Sequence, residues 1–185
     1  MKELSLNILD ITYNSIKAQA TVIRITVSES TRHNWLKIRI QDNGCGMDAA
    51  LLRQVTDPFV TTRKTRKVGL GIPLFKQSAE DTGGRFQIDS KPGEGTSVEA
   101  VFTLNHLDRA PIGDMASTMI SLIQANDQIR FIYTHETDTG TFVLDTDELH
   151  GQLGFEILEL VEEIVTVNLH AGRGEHGPLG TRDHL

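Results

Sequence analysis

Asp42-Asn43-Gly44-Cys45-Gly46-Met47 closes an alternating apolar–polar segment with a D-x-G-x-G turn. Two glycines on either side of one small residue let the backbone pass close to a flat ligand, with no Cβ in the way. A carboxylate just ahead of them can accept a hydrogen bond from an exocyclic amine. Taken alone, the pattern reads first as a Gly-rich strand-to-helix turn. Its weight comes from three other pieces that lie around it in one order. Asp10-x-x-x-Asn14-x-x-Lys17 precedes it, and Val68-Gly69-Leu70-Gly71 and Gly93-Glu94-Gly95-Thr96 follow.

Upstream, residues 3–19 are predicted to form a helix with Leu4, Ile8, Ile11, Ser15 and Ala18 on one face. Asp10, Asn14 and Lys17 fall on a different stripe, at i, i+4 and i+7, and project toward one point. A carboxylate, an amide oxygen and an ammonium converging there suit a hydrated Mg²⁺ and the phosphates it bridges, because Mg²⁺ takes hard oxygen ligands and keeps several waters. On an isolated helix the same three residues would be a solvated face.

Thr21–Ser28 and Trp35–Gln41 alternate with period two, and the turn-forming run 30–34 lies between them. They read as an antiparallel pair with one face buried. The second strand delivers Asp42, after which Asp48 can N-cap a short helix through Gln54. Arg63, Lys64, Arg66 and Lys67 place four of the chain's 18 basic residues within five positions. A solvated loop would explain them, but Gly69-Leu70-Gly71 opens a helix directly afterwards. Successive backbone N–H groups and the positive helix end favour a polyphosphate there. That helix is predicted over about 70–81, with Pro73 tolerated in its first turn and Gly83-Gly84 ending it. Arg85–Ser90 and Thr96–Leu104 read as two further strands. Thr96 stands either as a nucleotide contact or as a turn residue.

The ordered set of four motifs resembles the ATP-binding domain shared by sensor histidine kinases, DNA gyrase B, heat-shock chaperones and mismatch-repair ATPases. The resemblance covers roughly residues 3–104. It implies an α+β fold, a two-layer α/β sandwich in which an antiparallel or mixed sheet carries helices on one face. It also implies ATP and Mg²⁺ as ligands, with Asn14 on the metal, Lys17 near the phosphates and Asp42 on the adenine amine. Asp57-Pro58-Phe59-Val60-Thr61-Thr62 resembles the Phe-containing box that introduces the ATP lid. The nucleotide site expected from all this comprises Asn14, Lys17, Asp42, Gly44, Gly46, Met47, Thr62, Lys64, Lys67, Gly69, Leu70, Gly71 and Thr96, with Asp10 as the catalytic group. Two positions depart from the family pattern. Efficient ATPases carry Glu four residues before the Asn, where this chain has Asp10, and kinases often place an aromatic where this chain has Ala18. The run Asp57–Gln77 and Asp108-Arg109-Ala110-Pro111 resembles most closely the free-standing ATP-binding proteins of anaerobic bacteria.

At 185 residues the chain has room for a full core and a smaller addition. Residues 1–105 are expected to form the ATP-binding domain, 106–170 a small α+β unit after a linker at Asp108–Pro111, and 171–185 a mobile tail. Within the second unit, a helix marked by Ile112, Ala116, Met119, Ile120 and Ile123 precedes a hairpin of Ile129–Thr134 and Thr141–Leu144. His135-Glu136-Thr137-Asp138-Thr139 faintly resembles a phospho-acceptor box. That box needs a helix and a following proline, whereas Gly140 follows here in a predicted hairpin turn. The chain also begins almost at its first motif, so no upstream phospho-accepting helix is expected.

A formal charge of −7 gives no general nucleic-acid surface, and the lone Cys45 excludes an intrachain disulfide and suits a reducing cytosol. No apolar run reaches the ~20 residues of a membrane span. The expectation is a cytoplasmic, Mg²⁺-dependent ATP-binding switch with slow hydrolysis or phosphoryl transfer. Its partners would be ATP or ADP and a protein bound through 106–170, without nucleic acid or membrane, and a homodimer is compatible with this. Two alternatives stand beside it: a kinase acting in trans, as in anti-sigma-factor kinases, and a non-catalytic nucleotide-gated binding module.

Overall fold

The structure is a computed structural model and describes residues 3–56 and 70–148. In chain order the elements are α1 (Leu4–Lys17), β1 (Val22–Ser30), β2 (Trp35–Asp42), α2 (Ala49–Val55), α3 (Gly71–Glu80), β3 (Arg85–Lys91), β4 (Gly95–Thr103), α4 (Met115–Ala125), β5 (Arg130–Glu136) and β6 (Thr141–Asp145). The strands form one six-stranded sheet in the order β3-β4-β2-β1-β5-β6. Every neighbouring pair is antiparallel except β1 and β5, which run parallel, so the sheet is mixed.

Alternation along the strands explains why one face is covered. Ile23, Ile25 and Val27 on β1, and Leu36, Ile38 and Ile40 on β2, are buried, while Arg24 and Arg39 between them are exposed. Val98, Ala100 and Phe102 on β4 and Phe131 and Tyr133 on β5 continue the same apolar layer. Leu4, Ile8 and Ile11 of α1, Phe75 and Ala79 of α3, and Met115, Met119 and Leu122 of α4 pack onto it. Phe75 is central, its ring 5.6 Å from that of Phe102 and 6.4 Å, edge-on, from that of Phe86. Burying a side chain of this size contributes about 1.5–3 kcal/mol. Among the described residues no helix packs on the polar face of the sheet, which gives a two-layer α+β sandwich.

Residues 106–148 contribute the expected helix and hairpin, and both are built into this same body. β5 lies alongside β1 in the register Val22↔Arg130 to Ser28↔Glu136, and β6 extends the sheet beyond it. The physical reason lies in β1, whose far edge offers a full row of unpaired backbone groups once β2 has taken the other. The segment read from the sequence as a linker also has a definite place. Pro111 and Ile112 carbonyls accept from the Leu4 and Ser5 N–H groups at 2.9 and 2.7 Å, satisfying donors that the first turn of α1 cannot pair internally. Asp138 in the β5–β6 turn accepts from the Ser30 and Thr31 hydroxyls and the Thr31 and Arg32 N–H groups, tying that turn to the one between β1 and β2. His135 lies on β5 rather than on a helix.

Candidate nucleotide site

The end of β2 and the C-terminal half of α1 converge on one cavity of about 280 Å³. Asp42 sits at its base, and its carboxylate is held by three donors. The Ser15 hydroxyl donates to Oδ2 at 2.6 Å, and the Gly44 and Thr96 backbone N–H groups donate to Oδ1 at 2.9 and 3.2 Å. Three such bonds fix the direction of the carboxylate and leave acceptor capacity on Oδ2 toward the cavity.

The loop after Asp42 is stitched down on both sides. Asn43 Oδ1 accepts from the Thr21 and Val22 N–H groups, each at 2.9 Å, and the Asn43 side-chain amide donates to the Thr21 hydroxyl. Cys45 donates through its N–H to the Ala18 carbonyl, while the Cys45 carbonyl accepts from the Gly93 N–H, both at 2.8 Å. Gly46 has φ +65°, and a Cβ there would stand 1.9 Å from the Lys91 carbonyl oxygen. A Cβ on Gly44 would lie 2.7 Å from the Ala18 carbonyl oxygen. The room left by the two missing side chains is therefore taken by the chain's own backbone. The two glycines let three segments close around Asp42, and Gly46 still lines the cavity.

Asn14, Lys17, Asp42, Gly46, Met47 and Thr96 of the expected set all line the cavity. Gly44 does not line it, and acts through its N–H on Asp42. The Met47 N–H is held at 2.8 Å by the Ser90 hydroxyl, which also shares a 2.9 Å hydrogen bond with the Thr96 hydroxyl. Asp10 is exposed and lies outside the cavity lining, against the start of α3. A Cβ on Gly71 would be 3.0 Å from the Asp10 Cβ, so only glycine lets the two helices approach this closely. Leu70 is exposed and Gly71 opens α3, which presents the N-terminal end of that helix beside Asp10. Thr62, Lys64, Lys67 and Gly69 lie outside the described residues.

Sequence reasoning missed Ser15 and the apolar walls, which come from Ile11, Ile40, Val55, Ile72 and Val98. Ser15 was legible only as a member of the buried face of α1. The available signal was a hydroxyl on an otherwise apolar stripe, one residue after Asn14. Among the described residues the side chains of Asp10, Asn14 and Lys17 make no hydrogen bond or ion pair within the protein, so their polar atoms remain available to a ligand. The cavity thus combines the fixed Asp42 carboxylate and apolar walls with the Asn14 and Lys17 side chains, whose polar groups are unengaged among the described residues. That arrangement suits a flat base bearing an amine, followed by a charged tail.

Comparison with known proteins agrees with the geometry. The sequence pattern of the histidine kinase-, DNA gyrase B- and HSP90-like ATPases matches residues 2–106. A putative sensor protein of Shewanella frigidimarina is 31% identical over 109 residues, covering 58% of this chain and 16% of that protein. A probable C4-dicarboxylate sensor kinase of Bacillus subtilis is 32% identical over 99 residues, covering 53% of this chain and 18% of that protein. The chain therefore spans less than a fifth of the length of these relatives. The fold is similar to a crystal structure of the N-terminal domain of a DNA repair protein, with a TM-score of 0.53 at 16% identity, covering 78% of this chain and 53% of that one. No helix among the described residues is long and apolar enough to cross a membrane.

Proposed function

Because the chain belongs to the family of histidine kinase-, DNA gyrase B- and HSP90-like ATPases, we propose that its cavity binds ATP in a Mg²⁺-dependent manner and uses slow hydrolysis or phosphoryl transfer as a switch. The observation that carries this is the Asp42 carboxylate, fixed by Ser15, Gly44 and Thr96 at the floor of an apolar-walled cavity. A carboxylate in that place accepts from the adenine amine. Guanine would present an oxygen to it instead, leaving two acceptors face to face.

Asn14 and Asp10 supply hard oxygens one helical turn apart, and neither is engaged by another group among the described residues, so the donor set fits a hydrated Mg²⁺. The ion, when bound, neutralises phosphate charge. Lys17 adds a positive charge on the same stripe, in the last turn of α1. The N-terminal end of α3, beside Asp10, favours anions. For phosphoryl transfer the protein mainly positions groups and compensates charge, and these residues are sufficient for that. The role proposed for Asp10 is to orient a water or to hold one bound to the ion. The basic run with Lys64 and Lys67, together with Thr62 and Gly69, completes the phosphate side of the proposal.

Titration calorimetry tests it with ATP and GTP, each with and without excess Mg²⁺. ATP should bind with Mg²⁺ and lose affinity when the metal is chelated, while GTP binds far more weakly. Equal affinity for ATP and GTP would remove the role given to Asp42.

A further inference from the structure

The helices among the described residues cover one face of the sheet, and alternate strand positions project from the other. On that open face Arg85 of β3 and Lys37 of β2 both stand in register with Val101 of β4, in one row across three strands. Trp35, two residues before Lys37, shares the face, and the Lys37 Nζ lies 5.5 Å from the centre of its ring. Trp35, Lys37, Arg85 and Val101 line a cleft of about 230 Å³.

Of the other cations on this face, Arg39 pairs with Glu99 and Arg130 with Asp145 and Asp147, while the charge of Arg24 acts on the Asp145 carboxyl. Lys37 and Arg85 face no carboxylate partner among the described residues, in a chain whose net charge is −7. Their Cα atoms are two strand spacings apart, on the order of 10 Å. Half-buried Val101 lies between them, and Trp35, the only tryptophan of the chain, borders the same cleft.

We propose that this cleft docks an acidic segment of a partner protein, with carboxylates at Lys37 and Arg85 and an apolar side chain against Val101 and Trp35. The pairing of two uncompensated cations with an indole wall supports a peptide over a bare anion. Tryptophan and arginine are enriched among residues that dominate protein–protein binding, and complementary charge steers and registers the partner. Trp35 begins β2 and Asp42 ends it, and the cleft opens on the face away from α1. The docked segment therefore does not touch the nucleotide cavity, and this inference does not rest on nucleotide binding.

Because Trp35 is the sole tryptophan, its emission reports occupancy directly. The full chain is titrated with a synthetic glutamate-rich peptide carrying a central leucine, and with a lysine-rich peptide of the same length. The expected result is a saturable change with the acidic peptide only. Its midpoint should weaken by ~10-fold or more in Lys37→Glu/Arg85→Glu, with an intermediate loss in Lys37→Gln/Arg85→Gln. Saturating ATP should leave the midpoint unchanged, and circular dichroism should match wild type in both variants. No saturable change, or a response that persists in the charge-reversed variant, would overturn the proposal. So would competition by ATP, which would place the peptide on the basic run at Arg63–Lys67 instead.

Discussion

Ser15 on α1 and Asp42 at the end of β2 are joined by a 2.6 Å hydrogen bond across 27 residues of sequence. This bond couples the helix that carries Asn14 and Lys17 to the strand that carries the carboxylate proposed to recognise the base. Charge-assisted hydrogen bonds contribute about 1.5–3 kcal/mol, so Asp42→Ala should weaken ATP binding ~10- to 150-fold. Ser15→Ala should cost less, about 3- to 10-fold, since the two backbone donors remain. The double variant should bind little worse than Asp42→Ala, because Ser15 acts through Asp42. Calorimetry on all three variants checks this, and fully additive losses would mean that Ser15 contributes independently.

Asp10 separates hydrolysis from transfer. If it orients the attacking water, Asp10→Asn should slow single-turnover hydrolysis by about 10²–10⁴-fold while ATP affinity changes by less than ~1.4 kcal/mol. Aspartate is one methylene shorter than the glutamate of efficient relatives, so wild-type hydrolysis should be slow and Asp10→Glu should raise it. Unchanged hydrolysis in Asp10→Asn would take this carboxylate out of the chemistry and favour the kinase or passive-switch alternatives.

The basic run is tested by shortening the ligand. With Lys64 and Lys67 on the terminal phosphates, Lys64→Ala/Lys67→Ala should lose roughly tenfold or more in affinity for ATP and almost nothing for AMP. Equal losses for the two nucleotides, measured by calorimetry, would contradict a phosphate contact.

Gly46 should not tolerate a side chain. Its φ of +65° is left-handed, and a Cβ would meet the Lys91 carbonyl oxygen at 1.9 Å. Strain of this kind costs about 1–3 kcal/mol before the clash is counted. Urea denaturation of Gly46→Ala should show a lowered midpoint. A midpoint equal to wild type would mean that the loop relaxes without loss.

Asp138 gives stability a pH dependence. Hydrogen bonds from Thr31 and Ser30, and from the Thr31 and Arg32 N–H groups, hold its carboxyl well below the ordinary 3.8. A depressed folded pKa means stability that is present above the unfolded value and lost as pH falls through the folded one. The melting temperature of Asp138→Ala should therefore fall below wild type at neutral pH, and the gap should close as pH drops below about 4. Thermal melts from pH 7 to pH 2 check this, and a gap that is constant with pH would assign the effect to something other than the charged carboxylate.

Much of the local structure is legible in the sequence. The boundaries of α1, β2, α2 and α3 fall within about two residues of those expected, because helical and strand periodicities are written in neighbouring residues. Asp48 caps α2 as read, accepting from the Leu51 N–H at 2.8 Å. Asn14, Lys17, Asp42 and Thr96, which the motif order puts in one expected site, all line one cavity.

By itself, then, the sequence determined the elements, the apolar face of each and the four motifs that mark a nucleotide site. The tertiary structure alone decided how distant segments use one another. It set β5 parallel against β1, turned Gly44 and Gly46 into packing contacts with Ala18 and Lys91, and aimed Asp42 through Ser15. The physical reason is range. Periodicity and capping depend on residues a few positions apart, whereas strand order and a shared hydrogen bond depend on which surfaces meet once the core between sheet and helices has closed.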